Sequence, residues 1–352
     1  MGAEQLAMPP RRRGATAHMK LGTSLRFLFP TSPATHERFR SILTSMPKGA
    51  FIERPMGAYA PDEQARNLME VASAARAAGL DALLTGDSHA ANPAYAATFS
   101  PLPTVARLMS VTGDMPIGVV LLAPFYHPLL LAEQIGTLAA FAEGPLIVTF
   151  VLGGRPSQFG AFGMEERSRV GRLEEVVTVT RALLSGESVT HRGRYYTLEG
   201  ATISPLPRVP IEIWLGGTVP AAAERAGRLG DAWLTGQNAS DEELRRQLEL
   251  YRNTAAGAGR PARPVLRRDI YVGVSDEDAR AVVGTVLAEG YRGTGLDQLL
   301  VGSADTVVQQ LRRYRDMGFD DLMVRHIVGD HQLMLRSFER IGRDVMPRIR
   351  DF

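Results

Sequence analysis

From Met19 onward, continuous apolar runs alternate with amphipathic segments, and that alternation leaves few architectures open to the chain. The runs over residues 20–29, 82–87, 116–123, 146–153, 211–216, 232–236, 265–274 and 321–327 are mostly unbroken. Unbroken runs are expected of parallel strands covered on both faces. The segments between them read as helices. Residues 62–78 carry Leu68, Val71, Ala72 and Ala75 at helical spacing, and residues 169–184 place Leu173, Val176, Val177, Thr180 and Leu184 on one side. Residues 240–254 open S-D-E-E and residues 303–317 open on Ser303, both N-cap patterns. Strands joined by helical crossovers predict an α/β fold, a (β/α)8 TIM barrel with insertion loops at its C-terminal face. One domain over residues 19–352 accounts for the pattern.

Three connections are too long to be simple turns: residues 30–61, 154–168 and 185–209. Long βα connections lie on the active face of such a barrel, so residues 30–61 are a candidate lid or substrate wall. An insertion without function, or a dimer contact, suits them equally well. Residues 1–18 hold three arginines but no apolar stretch, and read as a mobile tail rather than a secretory signal.

The densest chemical signal lies in residues 210–236, P-I-E-I-W-L-G-G-T-V-P-A-A-A-E-R-A-G-R-L-G-D-A-W-L-T-G. A strand runs into a corner of Gly216, Gly217 and Thr218 and then into a small-residue helix. The first N–H groups of a helix have no internal partner, and its dipole favours negative charge. Glycine lets the backbone approach an anion closely. The corner is therefore a candidate phosphate cradle at the mouth of the barrel.

Other strand ends supply further candidates. The second predicted strand ends T-G-D-S-H, placing Asp87 and His89 at the mouth, where a histidine can transfer protons at neutral pH and the acid can orient it or cap the loop. The third, residues 118–128, offers an apolar wall for a flat ligand, with His127 a weaker candidate contact. The fourth ends at Gly153 and Gly154, which permit close approach, followed by Arg155, which could meet an anion. Arg325 and His326 close the eighth, and which of them faces the lumen depends on register.

Composition excludes several classes. The chain has 352 residues, 45% of them hydrophobic, and 40 basic against 38 acidic side chains give a formal charge of +2, so nothing points to nucleic acid as the partner. Cysteine is absent, which removes disulfides, zinc–thiolate sites and thiol nucleophiles and fits a cytoplasmic location. No apolar run approaches the ~18–20 residues of a membrane span. There is no H-E-x-x-H or H-x-H metal pattern, no Walker loop and no G-x-G-x-x-G fingerprint. A glycosidase would need two opposed carboxylates; Asp87 is the one convincing acid at a predicted strand end. A site poor in charged catalytic groups but equipped with a phosphate cradle and apolar walls borrows its reactivity from an organic cofactor.

Six segments in order resemble the bacterial luciferase-like family of flavin- and deazaflavin-dependent oxidoreductases. They are G-L-D-A-L-L-T-G-D-S (residues 79–88), H-P-L-L-L-A-E-Q (127–134), R-L-E-E-V-V (172–177), G-E-S-V-T-H-R-G-R-Y-Y (186–196), W-L-G-G-T-V-P-A-A-A-E-R-A-G-R-L-G-D-A-W (214–233) and V-G-S-A-D-T-V-V-Q-Q-L (301–311). The likeness spans residues 19–349. It implies a flavin or deazaflavin ring in the barrel mouth with its phosphate at Gly216, Gly217 and Thr218, and a bulge with a cis peptide behind the ring, here between Val120 and Leu121. It implies a catalytic role for His89, although this chain places Ser88 between the acid and the histidine, and A-E-G-P-L at residues 142–146 replaces the family's S-G-G-R-type turn.

The activity so implied is that of a two-component monooxygenase, taking reduced FMN from a separate flavin reductase and oxidising a small organic substrate with O2. The alternative is hydride transfer with the deazaflavin coenzyme F-420. A non-catalytic flavin-binding paralogue is a third reading. The family also implies a homodimer.

Overall fold

The computed structural model describes residues 18–25, 61–90, 99–288 and 295–352. Most of the expected tail and all but one residue of the candidate lid lie outside them.

Strands β1 (Lys20–Leu25), β2 (Leu83–Thr85), β3 (Ile117–Leu122), β4 (Leu146–Val151), β7 (Ile211–Gly216), β8 (Ala232–Leu234), β9 (Pro264–Val272) and β11 (Asp321–His326) form a parallel ring, while β5 (Val189–Arg192) and β6 (Thr197–Ala201) make a separate antiparallel hairpin. The ring runs β9-β11-β1-β2-β3-β4-β7-β8 and closes where Trp233 and Leu234 of β8 pair with Pro264 and Val265 of β9. A further strand, β10 (Leu300–Gly302), pairs with the far end of β9. The (β/α)8 barrel expected from the alternation is the fold of the chain. The sequence reading missed β10 and the hairpin. Both are short, and the hairpin's burial is patchy, so neither shows the unbroken apolar run that marks the barrel strands.

Alternation along each strand sorts residues between two layers. Ala82, Leu84, Ile147, Trp214, Leu234 and Met323 pack together inside the barrel. Their neighbours Leu83, Val148, Leu215, Leu322 and Val324 pack outward against the helices. At the floor, Arg263 lies over the Trp214 ring and bridges Glu212 and Asp321, closing the N-terminal end with a paired charge network.

The covering helices are α1 (Pro61–Ala77), α2 (Pro101–Thr112), α3 (Pro128–Phe141), the short α4 (Pro156–Ala161), α5 (Arg169–Leu184), α6 (Pro220–Leu229), α7 (Asp241–Gly257), α8 (Asp276–Ala288) and α9 (Ala304–Met317), followed by α10 (His331–Arg340) and α11 (Met346–Arg350). Ser240 caps α7 in a capping box with Glu243, and Ser303 caps α9 by accepting from the Thr306 N–H. No described helix is long and apolar enough to cross a membrane.

Gly118 sits where β3 meets β4, and a Cβ there would fall 1.8 Å from the Ile147 carbonyl oxygen. Gly284, inside α8, faces open space. Gly118→Ala should therefore destabilise the fold by about 1–3 kcal/mol. Gly284→Ala should stabilise it by about 0.5–1 kcal/mol. Urea midpoints check both; equal effects would contradict the packing.

Candidate active site

The carboxyl ends of the barrel strands enclose a cavity of about 530 Å³, inside the usual range for a small-molecule or cofactor site. Its wall is uneven in character. Leu84, Val120, Leu122, Val151 and Leu234, from β2, β3, β4 and β8, present an apolar side. Arg267 of β9 and Arg325 of β11 present a charged one, with Asp269 between them: Arg325 donates to Asp269 Oδ2 at 3.2 Å and Arg267 stands 3.4 Å from Oδ1. A flat ring with one polar edge fits such a wall.

Just past the end of β2, Asp87 borders the cavity with its side chain 1% exposed. Its Oδ2 accepts from the Leu122 N–H at 3.0 Å, from the Tyr126 hydroxyl at 2.9 Å and from His89 Nε2 at 3.1 Å. Three donors converge on one oxygen and hold the buried carboxylate in place. Oδ1 has no hydrogen-bond partner among the described residues. An orphaned buried acceptor is costly, and it suits a ligand that brings a donor. Burial, and then the Asp87 charge, push the Tyr126 phenol above the ordinary tyrosine range, so it remains a donor.

His89 does not border the cavity. Its ring stands behind Asp87, edge-on to Phe125, Tyr126 and Phe162 at 5.2–5.6 Å between centroids, and its carbonyl accepts from Gln158 Nε2 at 3.0 Å. Ser88, set between the acid and the histidine, accepts from Arg155 at 2.9 Å, which ties Arg155 to this loop; Arg155 does not border the cavity.

The phosphate corner also borders the cavity. Gly216, Gly217, Thr218 and Val219 all line it, and α6 begins directly after them. One expectation needs correction: the Gly217 N–H is not free, because it donates to the Leu234 carbonyl at 3.1 Å and continues the β7–β8 ladder. Pro220 has no N–H. The donors left without a partner among the described residues are the N–H groups of Thr218 and Val219.

Alternation separates the other paired candidates. Val120 faces the cavity while Leu121, fully buried, packs outward with the helix layer. Arg325 faces in; His326 faces out and packs against Phe338, the rings tilted by 52° with centroids 4.2 Å apart. Gly153, at φ +70°, lines the cavity and Gly154 does not. His127 caps α3 through the Leu129 N–H. The expected cis bond between Val120 and Leu121 is not present: the register from Ile117 to Leu122 against β4 is unbroken, with no bulge to accommodate it. The one cis bond among the described residues joins Ser204 and Pro205.

Sequence reasoning missed Tyr126, which holds Asp87, and Arg169, Gln237, Asn238 and Arg267, which line the cavity. The R-R-D at residues 267–269 was a usable signal, since charges inside an otherwise apolar strand must face a partner or a site.

The profile of the luciferase-like monooxygenase family matches residues 46–295. The chain belongs to that family. Among its relatives, the F420-dependent glucose-6-phosphate dehydrogenase of Intrasporangium calvum is 29% identical over 273 residues, covering 68% of this chain and 81% of that protein. The FMNH2-dependent dimethylsulfone monooxygenase of Pseudomonas putida is 27% identical over 279 residues, covering 69% and 77%. The monooxygenase RslO1 from Streptomyces bottropensis superposes with a TM-score of 0.76 at 20% identity, over 94% of this chain and 99% of that one, and shows the shared fold. As a luciferase-like oxidoreductase, the protein is an enzyme whose relatives use two different cofactors.

Burial pushes the His326 imidazole down to about 3, against a smaller opposing pull from Asp269. Between the ordinary histidine value and that depressed one, the unfolded chain binds a proton that the folded chain does not. Stability must then fall as pH drops from about 6.5 towards 3. His326→Phe should flatten this dependence by up to about 1.4 kcal/mol per pH unit, read from urea midpoints between about pH 6 and pH 4. An unchanged slope would contradict the buried neutral imidazole.

Proposed function

We propose that this luciferase-like enzyme is a two-component monooxygenase that takes reduced FMN from a separate flavin reductase and oxidises a small organic substrate. The observation that carries the reading is a cavity with an apolar side for a tricyclic ring and unpartnered N–H donors for a phosphate at one end. Bound there, a reduced flavin supplies two electrons to O2, so that one oxygen atom enters the substrate and the other leaves as water.

The chain's own residues have separate tasks. Leu84, Val120, Leu122, Val151 and Leu234 hold the ring and keep water from it. Thr218 and Val219 receive the phosphate. Asp87 Oδ1 accepts a hydrogen bond from the reduced ring or the substrate. His89 and Tyr126 fix that carboxylate through its other oxygen, which makes them positioning residues. Arg267, Asp269 and Arg325 face the polar edge.

A second reading, hydride transfer with coenzyme F-420, is favoured by the same Asp87 oxygen. A buried carboxylate with one free acceptor can take the proton of a substrate hydroxyl while hydride leaves its carbon.

Parallel titration with FMN and F-420, followed by turnover assays, separates the two. Oxygen-dependent product with reduced FMN is expected; bleaching of oxidised F-420 by an alcohol substrate, without oxygen, would replace the first reading by the second. In either case Asp87→Asn should lower turnover, by about 10²–10⁴-fold where the carboxylate takes the substrate's proton. Unchanged turnover would remove Asp87 from the chemistry.

A further inference from the structure

Arg268 of β9 is fully buried, yet its contacts among the described residues include no carboxylate. A buried cation must be compensated. Here the compensation comes from peptide carbonyls: Nη2 donates to Ala239 O at 2.7 Å, and Nη1 reaches Gln237 O at 2.9 Å, Arg267 O at 3.2 Å and Gly236 O at 3.4 Å. Nε donates to the Tyr314 hydroxyl at 3.0 Å, and the guanidinium lies over the Tyr314 ring. Three of those carbonyls belong to the loop after β8, and Gln237 and Asn238 of that loop line the cavity.

A trans peptide is planar, with its C=O and the following N–H pointing in opposite directions. Carbonyls of Gly236 and Gln237 drawn towards Arg268 send the N–H groups of Gln237 and Asn238 away from it. Neither N–H has a partner among the described residues. The loop borders the cavity and Arg268 does not. The loop also abuts the phosphate corner: a Cβ on Gly236 would fall 2.4 Å from Thr218 Cγ2. The Thr218 carbonyl is likewise drawn aside, accepting from Gln247 Nε2 at 2.9 Å, which turns the Val219 N–H the other way.

We propose that Arg268 is a positioning residue for anion binding, turning the loop after β8 so that the Gln237 and Asn238 N–H groups form a second jaw opposite Thr218 and Val219 around the cofactor's phosphate. This rests on the cofactor reading above and names the part of the site that grips the phosphate. The guanidinium also adds fixed positive charge behind that jaw.

The test compares FMN with riboflavin on the full chain, or F-420 with its ribityl deazaflavin core lacking the phosphodiester tail if the enzyme takes the deazaflavin. Wild type should bind the phosphorylated form at least about tenfold more tightly. Arg268→Met should reduce that preference to below about threefold while affinity for the unphosphorylated ring changes less, and Arg268→Lys should restore part of it. Should Arg268→Met fail to fold, amide resonances of wild type decide: the phosphorylated ligand must shift the Gln237 and Asn238 N–H signals, and the unphosphorylated one must leave them in place. A preserved preference, an equal loss for both ligands, or unmoved amide signals overturns the proposal. If wild type shows no preference for the phosphorylated form, the cofactor reading fails first and the proposal with it.

Discussion

Asp87 ties the end of β2 to the start of the loop after β3, and the organisation of the site depends on that tie. Its Oδ2 collects a backbone N–H, a phenol and an imidazole from three directions. Hydrogen bonds to a charged group are worth about 1.5–3 kcal/mol each, enough together to keep a nearly inaccessible carboxylate in place. The tie fixes Tyr126, whose backbone carbonyl in turn accepts from the Tyr196 hydroxyl at the end of the β5–β6 hairpin. Glu175 of α5 anchors that hairpin by accepting from the N–H groups of Arg194, Tyr195 and Tyr196. A chain of short contacts thus runs from an exposed hairpin to the carboxylate that borders the cavity.

The barrel divides its labour around the rim. Strands β2, β3, β4 and β8 contribute apolar or small residues, so one side of the cavity can accept a ring without losing hydrogen bonds to water. Strands β9 and β11 contribute a buried Arg–Asp–Arg group, which would cost several kcal/mol if left unpaired and is stable here because Asp269 lies between two guanidinium groups. On the β7 and β8 side, Gln247 holds the Thr218 carbonyl and Arg268 holds those of Gly236, Gln237 and Ala239, while the N–H groups of Val219, Gln237 and Asn238 have no partner among the described residues. The proposed phosphate grip therefore rests on backbone orientation as much as on side-chain chemistry.

The fold was legible because β4, L-I-V-T-F-V, and its counterparts are buried on both faces and carry that burial as unbroken apolar runs. Strand ends were less legible: the runs read from the sequence continue past the last strand residues into Gly86 and Leu152, which line the cavity. Side-chain direction was the other gap. Val120 and Leu121, like Arg325 and His326, are equally plausible as neighbours in a list, but a strand can send only one of each pair inward. His89 was visible as a histidine at a strand end; that its ring turns back onto Asp87 depends on Phe125, Tyr126 and Phe162, two of them in the loop after β3 and one beyond α4. Arg268 carried no sequence signal beyond being a charge in an apolar strand, because its partners are carbonyls, which every residue has.

The central claim is that a tricyclic redox cofactor lies along the apolar side with its phosphate between the β7 corner and the loop after β8. A crystal structure of the enzyme with FMN or F-420 bound tests it most directly. The account predicts ring atoms against Val120 and Val151, a ring or substrate donor on Asp87 Oδ1, and phosphate oxygens within hydrogen-bond distance of the Thr218 and Asn238 N–H groups. A cofactor seated outside the barrel mouth, or a phosphate held away from both jaws, would contradict it.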